Sequence, residues 1–162
     1  MLGYYVPLQN NLFVGIIVTF EQTIYLNTSP KLRSEVEKDF SIIPNITFTT
    51  TIPENIQALA DKIYLITQGI DQDTSQVQLD YSDYTEKQVI VIKTAMNIPV
   101  NEIWPYSKVA EGAGLPKAQR FVGTTMRILR QPYIVPVHRV KSISYIRKKK
   151  SKSKRRFDKM PI

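Results

Sequence analysis

Residues 98–140 read IPVNEIWPYSKVAEGAGLPKAQRFVGTTMRILRQPYIVPVHRV, and this stretch decides the fold. Pro105 opens a short helical pattern in which Val109 and Ala110 face inward, and Gly112 to Pro116, GAGLP, breaks it. Pro116 opens a second pattern as its first residue. Ala118, Phe121, Val122, Thr125, Met126 and Leu129 then share one helical face, which is a full apolar side. Lys117, Arg120, Thr124 and Arg127 share the other. A helix, a glycine turn and a second helix with a basic outer face make the helix-turn-helix pattern. An ordinary helical hairpin whose basic face meets only water has the same pattern. The stretch closes on YIVPVHRV (133–140), where Tyr133, Ile134, Val135 and Val137 read as a buried strand running into His138, the one histidine of the chain.

Upstream, the first 30 residues are rich in Val, Ile, Tyr and Phe, and read as three strands separated by QNN and EQ turns. A short helix over 30–40 and a strand over 46–51 follow. Residues 53–68 predict a helix with Pro53 at its first position and Gly69 just past its end. Ile56, Leu59, Ile63 and Ile66 form its buried face. Thr85 and Gln88 have capping-box spacing and open another helix, with Val89, Ile92 and Met96 as its apolar stripe and Pro99 as its stop. The segment between these helices, 70–84, is the expected lobe boundary. Downstream of Val140 the chain becomes a Lys/Arg/Ser-rich run, and charge this dense predicts a flexible tail over 143–162.

With 162 residues and 43% hydrophobic content, the chain can bury one good core or two small lobes packed together. No apolar run is long enough to cross a membrane and no signal-peptide pattern opens the chain, so an intracellular protein is expected, in the cytoplasm or nucleoid, or in a nucleus. There is no cysteine, which excludes disulfides, thiolate chemistry and cysteine metal sites. The net charge of +8 is uneven. Residues 1–99 hold 6 Lys/Arg against 11 Asp/Glu, whereas residues 141–162 hold 10 against 1. That asymmetry points the C-terminal half at a polyanion. Asp71, Asp73, Asp80 and Asp83 could in principle serve a metal-dependent nuclease, but they fall in the expected linker without ligand spacing. No metal and no cofactor is expected.

The order of motifs in 98–140 resembles the DNA-binding half of the O6-alkylguanine-DNA alkyltransferases. The matching pieces are Ile98-Pro99, Tyr106, Pro116-Lys117-Ala118, Arg120, Val122-Gly123, Met126-Arg127, Pro136 and His138-Arg139-Val140. The resemblance implies an α+β fold. It divides the chain into a small β-rich, ribonuclease-H-like lobe over 1–80, a helical lobe with a winged-helix-like helix-turn-helix over 81–142, and the basic tail. It also places Val137 where the family has the cysteine that takes the alkyl group. The chemistry needs a thiolate nucleophile, and a valine has no lone pair. The implied protein is therefore not an enzyme, and His138 is vestigial. Leu129 stands where the family keeps an asparagine. The segment after Val140 lacks both the family's Gly/Ser-rich pocket wall and the glutamate that orients the histidine.

The resemblance also implies the site. Arg120 matches the arginine that enters the duplex and fills the gap left by a flipped base, and Tyr106 the tyrosine that crowds the phosphate beside the target. Lys117, Gln119, Thr124 and Arg127 would lie along the minor groove or its backbone. Apart from the resemblance, the dense positive charge of the tail reads as a phosphate-binding arm through Lys148, Lys149 and Lys150. The expected function is non-catalytic double-stranded DNA binding in repair or maintenance, by a monomer. A lesion sensor that flags alkylguanine for excision repair is an alternative. An adaptor that holds a repair or replication protein through its N-terminal lobe is another.

Overall fold

The computed structural model describes residues 1–157, with side chains as far as Lys152. The N-terminal part is a sheet flanked by two helices. β1 (Leu2–Pro7), β2 (Phe13–Val18) and β3 (Ile24–Asn27) form an antiparallel meander, and β4 (Thr47–Phe48) joins β1 in parallel, giving the order β3-β2-β1-β4. Successive strand residues point to opposite faces. In β2, Ile17 meets Val36 and Phe40 of α1 (Arg33–Phe40), while Val14, Ile16 and Val18 meet the larger core on the other face. A strand covered on both sides needs a continuous apolar run, and Val14 to Val18 supplies one, with Gly15 where α1 comes closest.

α2 (Glu54–Thr67) covers that second face through Ile56, Leu59, Ala60, Ile63 and Ile66, as the spacing predicts. Burying each isoleucine is worth roughly 1.5–3 kcal/mol. Pro53 is its N-cap rather than its first residue, and Gly69 takes a φ of 85° to end it.

In the C-terminal part, α3 (Glu86–Met96) carries the expected capping box: Thr85 N–H donates to Gln88 Oε1 at 2.8 Å, and Gln88 N–H to Thr85 Oγ1 at 3.3 Å. Its buried residues are Val91, Ile92, Ala95 and Met96, with Val89 only half-buried. The arc differs from the expected stripe because α3 packs on both α4 (Tyr106–Gly112) and α5 (Gln119–Arg127). β5 (Trp104–Pro105) and β6 (Val140–Lys141) form a short parallel pair, and α6 (Ile143–Phe157) follows. Among the described residues the architecture is α+β, with six α-helices and a small sheet. No helix among the described residues is long and apolar enough to cross a membrane.

Four expectations are corrected. Residues 133–139 are not a strand: the chain turns at Tyr133, with a φ of 71°, and Val137–Arg139 form one 3-10 turn before β6 begins at Val140. Pro132 and Pro136 lack N–H groups and fix φ, so an apolar run between them cannot sustain a ladder. Ile134 and Val135 are nonetheless fully buried. α5 starts at Gln119, not Pro116, and Lys117 sits in the preceding turn with a φ of 64°. Residues 143–157, expected as a flexible tail, are helical, in keeping with the good helix propensity of Lys and Arg. Residues 158–162 of that tail lie outside the described residues.

The segment 70–84, expected as a linker, is the fourth. Ile24 bridges to Leu79, and Thr74 Oγ1 donates to Ile134 O at 2.7 Å. The segment is thus stitched to both halves of the molecule.

Candidate nucleic-acid interface

α4 and α5 meet at a tight turn in which Gly114 takes a φ of 68°. The apolar face of α5 goes to the core: Val122 and Thr125 are buried, and Ala118, Phe121, Met126 and Leu129 pack against them. This leaves Lys117, Gln119, Arg120, Thr124 and Arg127 exposed. Tyr106, at the start of α4, lies along α5. A Cβ built on Gly123 would touch its ring at 3.6 Å. Tyr106, Gln119, Arg120, Gly123, Thr124 and Arg127 line one open depression of about 420 Å³. Among the described residues no carboxylate pairs with Lys117, Arg120 or Arg127. The result is a shallow cationic surface with one aromatic ring and a glycine floor. Lys148, Lys149 and Lys150 are exposed too, but on α6, and they do not line this depression.

A second cluster lies behind Val137. Asp71 accepts from Arg139 Nε at 2.8 Å and Nη2 at 2.9 Å, and from the Asn101 N–H at 2.7 Å. Its Oδ1 lies 2.6 Å from His138 Nε2. Arg139, 3% exposed, also donates to Ile98 O at 2.7 Å and Gln72 O at 2.6 Å. Burial alone would push the Asp71 carboxyl up. The hydrogen bonds from Arg139, Asn101 and His138 outweigh it and hold the group well below the usual carboxylate range. Asp71 is therefore an anion, and His138 Nε2 carries the proton of their bond. Burial lowers the His138 pKa against the pull of Asp71, with Arg139 and Lys141 adding to the lowering, so the ring is neutral at neutral pH. Its Nδ1 is then an acceptor, buried without a hydrogen-bond partner among the described residues.

The histidine does have an orienting carboxylate, contrary to the expectation that it had lost one; it comes from residue 71. The other aspartates of that segment are spoken for locally. Asp73 accepts from Ser75, Asp80 from Ser82, and Asp83 pairs with Arg130 at 3.3 Å. Gln131 was also missed. It is 1% exposed, donates to Tyr25 O at 2.8 Å and accepts from Tyr84 Oη at 2.9 Å. Leu129, singled out instead, is a partly buried core residue. The available signal was chemical: an arginine beside buried residues calls for a carboxylate, and residues 71–83 held four aspartates with no assigned role.

Residues 86–156 match the family model of the 6-O-methylguanine DNA methyltransferase DNA-binding domain. The C-terminal part of this chain is similar to that domain. The match runs from α3 into α6, so it contains the whole cationic depression. Solved structures extend the likeness in fold to the N-terminal lobe. The Mycobacterium tuberculosis OGT in complex with DNA is 20% identical, with a TM-score of 0.64 over 89% of this chain and 80% of that one. The O6-methylguanine-DNA methyltransferase of the hyperthermophilic archaeon Pyrococcus kodakaraensis strain KOD1 is 16% identical, with a TM-score of 0.62 over 88% of this chain and 86% of that one. No curated protein matches the chain. The acceptor of the methyltransferase family is a cysteine, and this chain has none. Val137 is half-buried at the start of the 3-10 turn.

Proposed function

We propose that this protein binds double-stranded DNA without transferring an alkyl group from it. The observation that carries the reading is the unpaired cationic depression of α5, lined by Tyr106, Gln119, Arg120, Gly123, Thr124 and Arg127, within a domain of a DNA-binding family. α4 and α5 act as the helix-turn-helix. Their cationic face lies in the minor groove, with Lys117 and Arg127 on phosphates. Arg120 is the residue that reaches into the base stack, where a flat cation can stack and hydrogen-bond in place of a base. Tyr106 presses on the neighbouring backbone. The chain has no thiol, and Val137 has no lone pair with which to take up an alkyl group.

The lobes follow the same reading: a ribonuclease-H-type lobe over 1–80, supported by the β3-β2-β1-β4 order with β4 parallel to β1, and a winged-helix-like lobe over 81–142. A second reading, a sensor of alkylated guanine, is favoured by Tyr106 and Arg120 sharing one depression, because these are the two groups that base rotation needs.

A fluorescence-polarisation titration separates the two. It uses matched duplexes with and without one O6-methylguanine, at two salt concentrations, on the wild type and Arg120→Ala. Similar affinities that fall by roughly 0.9 log units per phosphate contact per decade of salt mark a general duplex binder. Tenfold or tighter binding to the lesion, about 1.4 kcal/mol, lost in Arg120→Ala, marks a sensor. Duplex affinity unchanged by Arg120→Ala refutes the assignment of this face.

A further inference from the structure

A second concavity lies away from the α5 depression, between the turn that precedes Trp104 and the first turns of α6. It measures about 350 Å³ and is lined by Asn101, Ile103, Tyr145, Ile146, Lys149 and Lys150. Its make-up is unusual for a surface that meets only water. Tyr145 is 47% exposed and Ile103 36%, so an aromatic ring and a branched aliphatic chain stand open in the same cleft. Two ammonium groups edge it, and a third, Lys141 Nζ, lies 5.4 Å from the centroid of the Tyr145 ring.

These cations form no ion pair among the described residues. Residues 143–157 contain no Asp or Glu, and among the described residues no ion pair involves an α6 side chain. One wall is fixed, because the Asn101 N–H is held by Asp71. Lysines at i and i+1 on a free cationic helix repel one another, and an anion between them and the cleft removes that cost.

A ligand that fits must offer a flat apolar face and a negative charge on one small unit. A nucleotide does both. The volume is at the low end for ligand sites and admits one such unit. Bases inside a duplex already stack on each other and offer no free face, whereas unpaired bases stack on exposed aromatic rings. We propose that this cleft is a second nucleic-acid site, which takes an unpaired nucleotide of a single-stranded segment, its base against Tyr145 and Ile103 and its phosphates on Lys149 and Lys150. Together with the α5 face it would suit DNA in which a duplex adjoins an unpaired stretch. The assignment does not depend on how α5 meets the duplex.

The test is polarisation with a labelled short oligothymidylate and, separately, a labelled duplex, using the full-length protein. Tyr145→Ala should weaken oligothymidylate binding about fivefold to a hundredfold, the range for loss of one base–aromatic stack, and leave duplex binding unchanged. Tyr145→Phe should bind as wild type, and Lys149→Ala/Lys150→Ala should weaken oligothymidylate binding and flatten its salt dependence. Thymidine monophosphate should compete with the oligomer better than inorganic phosphate does. Three results each overturn the proposal: oligothymidylate binding indifferent to Tyr145→Ala, an abasic oligomer binding as tightly as oligothymidylate, or inorganic phosphate competing as well as the nucleotide. Arg120→Ala is the internal control. Its failure to weaken duplex binding would refute the α5 reading while leaving this cleft to stand or fall on Tyr145.

Discussion

Replacing Asp71 by Asn should destabilise the protein strongly, although the residue is polar and far from the core sheet in sequence. The carboxylate takes two charged hydrogen bonds from Arg139 and one from the Asn101 N–H, and it faces His138. Asn keeps the shape but removes the charge and one acceptor oxygen. The Arg139 guanidinium, 3% exposed, then retains the carbonyls of Ile98 and Gln72 and one neutral amide oxygen, with no counter-charge. Removing one partner of a buried ion pair costs about 3–5 kcal/mol, because the other charge is left uncompensated. The two remaining carbonyls place the expected cost at the lower end, about 3 kcal/mol. In a chain of this size that corresponds to a fall in Tm of roughly 6–12 °C. Urea denaturation of Asp71→Asn, Arg139→Met and the double variant is the assay. The double variant should be more stable than the sum of the single losses predicts, with a coupling of at least about 1 kcal/mol, since neither charge is then orphaned. A loss below about 1 kcal/mol in Asp71→Asn, or losses that simply add, would refute the reasoning.

Three further expectations follow from the same geometry. Both His138 and Asp71 have pKa values depressed on folding, so the folded state binds fewer protons. Stability should therefore be full above the ordinary histidine value of 6.5 and fall as pH drops below it, and fall again below the ordinary aspartate value of 3.8; chemical denaturation between pH 7 and pH 5 should show a shallower decline in His138→Gln. Gln131→Leu should cost about 2–4 kcal/mol in urea denaturation, because it strands the Tyr25 carbonyl and the Tyr84 hydroxyl in a buried place. Gly15→Ala should cost about 1–3 kcal/mol by the same assay, since an added Cβ collides with Val36 and Phe40 of α1.

Much of the fold was legible because its signals are local. Pro53 and Gly69 bracket α2, Thr85 and Gln88 cap α3, and the apolar spacing from Ala118 to Leu129 sets the orientation of α5. The exposed face of α5 followed from that spacing, which is why Arg120, Thr124 and Arg127 lie together with Tyr106 as the motifs suggested. Asp71 was illegible for the opposite reason. Its partners lie 67 and 68 residues away, and a buried ion pair leaves no period in a sequence. Residues 133–140 misled because apolar character is shared by strands and tight buried turns, and only Pro132 and Pro136 argue for the turn. α6 misled because charge density argues for disorder while the individual propensities of Lys and Arg argue for helix.

The strap formed by residues 70–84 leaves the molecule without a clean place to be cut. A fragment beginning at residue 81 would keep Arg139 but lose Asp71, and would keep the carbonyl of Ile134 but lose the Thr74 hydroxyl that caps it. A fragment ending at residue 80 would leave Tyr25 and Asn27 of the edge strand without the Gln131 and Arg130 groups that cover them. Neither half is a portable module. Recombination or fusion that respects this architecture must take residues 1–142 as one piece, so α4 and α5 could be inherited or borrowed only together with the sheet that stands behind them.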